Sequence, residues 1–186
     1  MFRNVFSEFE VRAQYIKVSG DTAYTTMSCV GSSAEELEVK VVTKNCRGEL
    51  AEEIVTGTGS GTLTESLHVP YEIYNRIYAM SQTTLATGVV AYGQSSAHPE
   101  FALTQDVYDE TGDRKFKAYP RCIIENGPSR SVENGATEVP ELNLTIRLLP
   151  DDYGNCMYEC YVADADDDLA SNWLEGFDAD DVQAGA

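Results

Sequence analysis

The chain contains few of the residues that carry catalysis, metal binding or contacts to nucleic acid. Its 186 residues include only two histidines, and 13 Lys and Arg stand against 31 Asp and Glu. The formal net charge of −18 repels phosphate backbones, because affinity for nucleic acid depends on cations that displace condensed counterions. Tight DNA binding is therefore not expected. No apolar run approaches the length of a membrane span, so no membrane partner is expected either.

Motifs for catalysis and for cofactors are also missing. The glycine run Gly57–Gly61 lacks the lysine of a phosphate loop and precedes a predicted strand, so a flexible strand-entry loop is favoured. Neither His68 nor His98 lies in a zinc-binding or catalytic motif. The segment Asp164–Asp168 lacks the central glycine and the final glutamate of a calcium loop, which favours a solvated acidic tail. We expect no enzyme activity, no cofactor and no metal.

Cysteine is present in an odd number, and the first residues lack the basic region and apolar stretch of a secretory signal. Both features favour free thiols in a reducing, intracellular compartment. Cys156 and Cys160 lie four residues apart on a predicted strand, about 13 Å from each other, which is too far for a disulfide or a shared zinc. They are interpreted as small core residues.

The clearest positive signal is the alternation of apolar and polar residues. Leu142, Leu144, Ile146 and Leu148 alternate with polar residues, which predicts a strand buried on one face. A turn-rich segment and a second alternating stretch follow, so residues 139–163 are predicted to form an antiparallel hairpin. A second hairpin is predicted over 101–120. The other predicted strands cover residues 15–18, 23–30, 36–46, 62–69 and 87–92, and the long segment 47–61 carries little apolar pattern.

One helix is predicted convincingly. Pro70 suits a first helical turn, and Ile73 and Ile77 form an apolar i, i+4 pair in a segment that ends near Met80. The sequence thus predicts a mainly β protein, an antiparallel β-sandwich or barrel of about seven to nine strands with one flanking α-helix. Its predicted parts are an N-terminal arm (1–14), the β domain (15–163) and an acidic C-terminal tail (164–186). In the tail, Leu169, Trp173, Leu174 and Phe177 are spaced for a short amphipathic turn.

Several sequence blocks, in one order, resemble the major tail (tail tube) proteins of long, non-contractile-tailed bacteriophages. They are Glu36–Gly48, Gly57–Glu72, Phe116–Ile124 and Leu142–Val162, within residues 28–163. The resemblance implies a virion protein of the tail, assembled in the host cytoplasm, whose stacked and hexameric rings form a tube. Its implied partners are copies of itself, the tape measure and other tail proteins. Genomic DNA would pass through a negatively charged lumen without specific binding.

Two segments are the candidates for an assembly interface. The arm carries Phe2, Val5, Phe6 and Phe9, whose apolar side chains would be unfavourable in water. The long segment 47–61 carries Leu50, Ile54 and Val55. Both segments could become ordered only on assembly. The two predicted hairpins are candidates for a shared inner wall, since subunits of a tube can pair their exposed strand edges.

A different class of function stays open. The eleven tyrosines and the single Trp173 would suit a soluble β-sandwich module that binds a partner such as carbohydrate on aromatic platforms. Such a module has little need of an apolar arm before its first strand.

Overall fold

The structure is a computed structural model that describes residues 6–27, 29–47, 49–81 and 84–183. In this part of the chain, eight strands form one antiparallel sheet, accompanied by two α-helices and a 3-10 turn. The predicted mainly β fold is confirmed. The elements in chain order are β1 (Glu8–Val18), β2 (Thr25–Thr26), β3 (Val30–Cys46), β4 (Glu49–Leu67), α1 (Tyr71–Ile77), β5 (Phe101–Asp109), β6 (Arg114–Ile124), β7 (Leu142–Leu148), β8 (Tyr158–Tyr161), a 3-10 turn (Val162–Asp164) and α2 (Asp167–Gly176). No helix within these ranges is both long and apolar enough to cross a membrane.

The sheet curls until its two sides meet. The strand order is β2-β1-β5-β6-β7-β4-β3, and β8 pairs with β6 beside β7. Gln105 on β5 donates through Nε2 to Ser33 Oγ on β3 at 3.2 Å and to Glu65 Oε1 on β4 at 2.7 Å. Strands distant in the pairing order therefore face each other across the interior, as in a barrel. Between β1 and β3, however, no backbone ladder forms in the described residues, and we call this junction the seam.

The interior of the barrel is filled by the apolar residues of the alternating strands. Leu63 and Leu67 on β4 and Leu144, Ile146 and Leu148 on β7 are at most 2% exposed. Their alternation with polar residues is the pattern that a sheet buried on one face requires. The strand predictions for β4 and β7 rested on this pattern and are confirmed.

Helix α1 adds its apolar face to the same core. It begins after Pro70, whose fixed φ suits a helix start, and Glu72 lies in the first turn, where the helix dipole favours an acid. Ile73, Tyr74 and Ile77 are buried with the strand residues. The predicted helix is confirmed, and it ends at Ile77 rather than near Met80.

Helix α2 covers the outer face of β5 and β6 and was not predicted as a helix. Asp166 caps it by accepting a hydrogen bond from the Leu169 amide at 2.8 Å. Trp173 is 3% exposed, and its ring lies 6.2 Å from that of Phe116 and 4.9 Å from that of Phe177. The predicted amphipathic turn therefore docks, and the described residues form two α-helices rather than one.

The predicted hairpin over 139–163 is wrong. β7 pairs with β4 and with the C-terminal end of β6, where Ile124 lies opposite Ile146. β8 pairs with the N-terminal half of β6, where Lys115 lies opposite Tyr161. The two strands lie one after the other along β6 instead of beside each other, because alternation predicts strands but does not select their partners. The predicted hairpin over 101–120, by contrast, is the β5–β6 pair.

Four other segments differ from the predictions. The segment 47–61, which has little apolar pattern and for which no strand was predicted, lies mostly in β4, and residues 8–14 of the predicted arm lie in β1. No strand is present over 87–92, and within 23–30 the described strand residues are Thr25 and Thr26 of β2 and Val30, where β3 begins. Four cysteines are free thiols, namely Cys29, Cys122, Cys156 and Cys160. Cys156 is buried and Cys160 half-buried, so both serve as small packing residues, although Cys156 precedes β8.

The docking of α2 can be tested by removing its anchor. Trp173→Ala empties the contact with Phe116 and Phe177, and we expect it to lower the free energy of unfolding by about 3–5 kcal/mol. Urea unfolding followed by circular dichroism measures the change. The exposed Ser171→Ala on the same helix is the control, with an expected change within about 0.5 kcal/mol. Equal stabilities for the wild type and Trp173→Ala would contradict the docking.

Candidate assembly surface

The distal part of the β3–β4 pair, residues 39–57, lies outside the barrel, and we call it the projecting hairpin. Leu37 lies opposite Gly61 and Val39 opposite Gly57, so β4 has three residues where β3 has one. This bulge contains Gly59, whose φ of +73° favours glycine. Every described side chain over residues 36–44 and 52–58 is exposed. At about 3.3 Å per residue, the hairpin extends about 25 Å beyond the barrel.

Both faces of the projecting hairpin carry apolar side chains. Val41 lies opposite Val55, and Val42 lies opposite Ile54 on the other face. Val39, Val41, Val42, Ile54 and Val55 are each between 50% and 61% exposed. A hairpin that served only as a solvated loop would place polar residues on at least one face. The apolar side chains on both faces are those expected of a segment that packs between two partners.

The structure separates the residues predicted for an assembly interface into three groups. Ile54 and Val55 lie on the projecting hairpin, and Leu50 lies in β4 opposite Asn45. Phe9 is 74% exposed on β1, whereas Phe6 packs edge-on against Tyr161 of its own subunit at 5.6 Å. Phe2 and Val5 lie outside the described residues. Sequence reasoning missed Val39, Val41 and Val42 as interface residues, although they lie in the predicted strand 36–46. The part of β4 that pairs with them, residues 54–57, was not predicted as a strand.

Two free strand edges flank the seam. Among the described residues, β3 pairs only with β4, and the first half of β1 pairs only with β5. A cleft of about 340 Å³ lies between these edges and includes Glu8, Ser33 and Glu35 among its lining residues. Free edges are templates for pairing with another chain unless they are blocked. These edges therefore belong to the candidate assembly surface.

A charged cluster lies beneath this cleft. Lys117 on β6 is 3% exposed, and its Nζ lies 2.7 Å from Glu35 Oε1 and 2.8 Å from Glu8 Oε1. Glu35 also accepts a hydrogen bond from the Tyr119 hydroxyl at 2.7 Å. The cluster joins β1, β3 and β6 through side chains, where a backbone ladder between β1 and β3 is missing.

In this cluster, Glu8 and Lys117 each stabilise the charged form of the other. Burial opposes ionisation of both Glu8 and Lys117, but the hydrogen bonds and opposite charges prevail. They lower the pKa of Glu8 and raise the pKa of Lys117. Glu8, Glu35 and Glu159 are close enough to share a cation. Lys117 and Lys115 supply the positive charge, since Lys115 Nζ lies 2.6 Å from Glu8 Oε1 and 2.9 Å from Glu159 Oε1.

The remaining candidate residues from the sequence are His98, Trp173 and the acids of the C-terminal segment, and the structure gives the surroundings of each. His98 contacts the Ile124 carbonyl oxygen through Nδ1 at 2.8 Å and the Tyr92 hydroxyl through Nε2 at 3.1 Å. Trp173, the aromatic residue considered for carbohydrate, is buried under α2 and offers no exposed platform. All eight acids over residues 164–181 are exposed, and no Lys or Arg accompanies them.

Comparisons with known proteins give little further information. No protein-family model matches the chain, and no curated protein matches it. Among solved structures, it is similar to a chain of the "Cryo-EM structure of the anti-feeding prophage (AFP) baseplate, 6-fold symmetrised". The match covers 86% of this chain and 97% of that chain, with 10% identity and a TM-score of 0.47. A similarity of this size carries no information about function.

We predict that removing the Lys117 cation lowers the free energy of unfolding by an amount that depends on pH. Lys117→Met removes the cation of Glu35 and leaves Glu8 paired with Lys115. We expect a loss of about 1.5–3 kcal/mol in the free energy of unfolding at pH 7, as for hydrogen bonds to charged groups. The lowered pKa of Glu8 means that its pairing stabilises the fold above pH 4.5 and is lost as the pH falls through the lower folded value. The penalty of Lys117→Met should therefore shrink at pH 3.

Urea unfolding at pH 7 and pH 3 measures this dependence. Arg12→Met is the control, because Arg12 is 51% exposed in its ion pair with Glu10, and it should cost less than about 1 kcal/mol. A penalty for Lys117→Met that is the same at both pH values would contradict the assignment.

Proposed function

We propose that this chain is a structural virion protein that self-assembles into stacked, hexameric rings and so forms the tail tube of a bacteriophage. The observation that carries the proposal is the projecting hairpin with exposed valine and isoleucine on both of its faces. It accounts for the sequence resemblance in physical terms, since a tube subunit must contact neighbours within a ring and in the next ring.

The projecting hairpin supplies contacts beyond the subunit. Exposed apolar side chains gain about 25 cal/mol for each square ångström removed from water. Five such side chains on a hairpin about 25 Å long cannot reach the barrel of their own subunit. In a tube, one face of the hairpin packs on a neighbour in the ring and the other on the adjoining ring.

The free edges of β1 and β3 supply contacts of a second kind. Pairing an edge with an identical subunit through different surfaces closes a ring when the rotation between subunits divides a full turn. Backbone hydrogen bonds then continue the sheet around an inner wall. Phe9, exposed on β1 near one of these edges, becomes covered in the same step.

The charge of the chain fits a conduit for DNA. Six copies that each carry −18 give a wall to which phosphate backbones do not adhere. In the proposed tube, the genome passes through the lumen during ejection without specific binding. The tape measure and other tail proteins are the proposed partners at assembly, and no catalytic role is proposed.

The alternative of a carbohydrate-binding module receives less support. Among the described residues, the exposed large aromatic side chains are Phe9, Tyr71, Tyr92 and Tyr153. They lie on β1, on α1 and in two loops, and Trp173 is buried. Platforms for sugars need adjacent exposed rings.

Assembly can be tested without unfolding the barrel. In the double variant Val41→Asp and Val55→Asp, two charges replace apolar side chains that lie opposite each other on one face of the projecting hairpin. We expect tubes to be lost while the free energy of unfolding of the monomer stays within about 0.5 kcal/mol of the wild type, because both positions are exposed. Negative-stain electron microscopy and sedimentation velocity over a concentration series measure assembly.

The matched control is Val132→Asp, at a valine that is 88% exposed in a loop outside the hairpin, and it should leave the tubes intact. A wild-type chain that stays monomeric at high concentration, alone and with the other tail proteins, would overturn the proposal. Tubes formed equally by the double variant would remove the projecting hairpin from the interface.

A further inference from the structure

A buried acid, Glu65, lies at the centre of the seam, apart from the Lys117 cluster. It belongs to β4 and is 1% exposed. Its Oε2 accepts a hydrogen bond from Gln14 Nε2 at 2.9 Å, and its Oε1 accepts from Gln105 Nε2 at 2.7 Å and from Ser33 Oγ at 3.3 Å. These partners lie on β1, β5 and β3. One carboxyl group thus joins both sides of the seam.

In the part of the chain that the structure describes, Glu65 has no cation to balance a negative charge. Among the described residues, no Lys or Arg lies within ion-pair distance of it, and the nearby Lys117 is held by Glu8 and Glu35. Burial raises the pKa of Glu65 to about 7, against the lowering effect of its three hydrogen bonds. An ionised carboxylate without a counterion is unfavourable in such surroundings.

The hydrogen bonding around Glu65 has a place for a proton on the carboxyl group. Gln14 is 1% exposed, yet its Oε1 is buried without a hydrogen-bond donor. An ionised carboxylate offers acceptors only, whereas a neutral carboxyl group offers one O–H donor. Rotating the terminal amide of Gln14 would turn its oxygen toward that donor. A proton on Glu65 thus supplies the donor that the network lacks.

We propose that Glu65 is a proton-controlled latch that holds the seam of the barrel closed. With the proton bound, the network is neutral and ties β3 and β4 to β1 and β5. Loss of the proton leaves a buried charge that is relieved when the seam opens and water reaches the carboxylate. The latch is a property of the single subunit and does not depend on the proposed tube.

The neighbouring titratable groups leave Glu65 as the group that changes charge. On β6, Tyr119 and Cys122 lie near it, and burial raises the pKa of each well above its ordinary value. On β3, Glu35 is bound to Lys117 and Tyr119. The partners from β1 and β5 are glutamines, and Leu144 lies opposite Glu65 on β7. The phenol and the thiol therefore stay neutral between pH 5 and 8.

The sign of the pH dependence follows from the raised pKa. Glu65 stabilises the closed seam fully below its ordinary pKa of 4.5, and this stabilisation is lost as the pH rises to about 7. Above that value the effect is constant. If the opened seam restores the ordinary pKa, the opening equilibrium should increase roughly a hundredfold between pH 5 and pH 8.

The test combines a direct titration with an isosteric variant of the full chain, held below the concentration at which it assembles. The side-chain carboxyl carbon of Glu65, followed by NMR, should titrate near pH 7. Glu65→Gln keeps the shape of the side chain but stays neutral. Amide hydrogen exchange of β1 and of residues 30–36, limited by the opening equilibrium, should therefore become faster in the wild type than in Glu65→Gln as the pH rises.

The ratio of the two exchange rates at each pH cancels the intrinsic pH dependence of exchange. Glu53→Gln, on the same strand but exposed on the projecting hairpin, is the control and should exchange as the wild type does. Titration of Glu65 below pH 5, or a ratio that does not change with pH, would overturn the latch. If Glu65→Gln does not fold, the wild-type titration alone decides.

Discussion

The barrel depends on a junction that side chains close, because β1 and β3 meet without a backbone ladder. Near one end, Lys117 binds Glu8 and Glu35, and deeper inside, Glu65 binds glutamines from β1 and β5. Apolar side chains alone would not specify this junction, since hydrophobic contact is non-directional. Hydrogen bonds and ion pairs have fixed geometry, and their loss inside the wall is costly. Within the described residues, the same arrangement leaves the edge of β3 and the edge of the first half of β1 that face the seam without backbone partners. The missing backbone ladder between β1 and β3 therefore has two consequences: side chains close the seam, and the strand edges stay available for pairing.

The glycine run Gly57–Gly61 of β4 also has two effects: it allows close contact with β3, and it forms the bulge from which the projecting hairpin extends. Gly61 lies so close to β3 that a Cβ there would approach the Glu36 carbonyl oxygen to 2.7 Å, so only glycine fits the strand crossing. Gly59 adopts a positive φ in the adjacent bulge. The extra residues in β4 interrupt the register of the pair, and a bulge of this kind bends a strand and increases its twist. Below the bulge the two strands belong to the barrel wall, and above it they are exposed on both faces. The run that the sequence presents as a flexible loop is the point at which the hairpin leaves the body.

The sequence predicted the parts of the fold that follow local rules. Alternation identified β7 and the core half of β4, and Pro70 identified the start of α1. The distal half of β4 was missed because it is exposed on both faces, which removes the alternation that burial produces. The pairing of β7 was predicted wrongly because partner choice is a non-local property. Glu65 gave no signal, since a glutamate between Thr64 and Ser66 looks like an exposed strand residue until the seam brings β1 and β5 over it. At the assembly surface, Ile54 and Val55 were named for their apolar character, and their exposure required the structure.

In the proposed assembly, electrostatic repulsion between subunits opposes hydrophobic attraction. Repulsion acts over a longer distance than hydrophobic contact, so the separation of the subunits decides which of the two prevails. Subunits that each carry −18 repel one another over distances set by the Debye length, about 8–10 Å at physiological ionic strength. The apolar faces of the projecting hairpin act only on contact, where water is excluded. Repulsion therefore disfavours random encounters, whereas an oriented encounter that places the hairpin on its partner gains the contact energy. Free strand edges would otherwise promote irregular association. In this view the acidic surface limits pairing to the geometry in which the hairpin also fits, so that growth is ordered rather than aggregated.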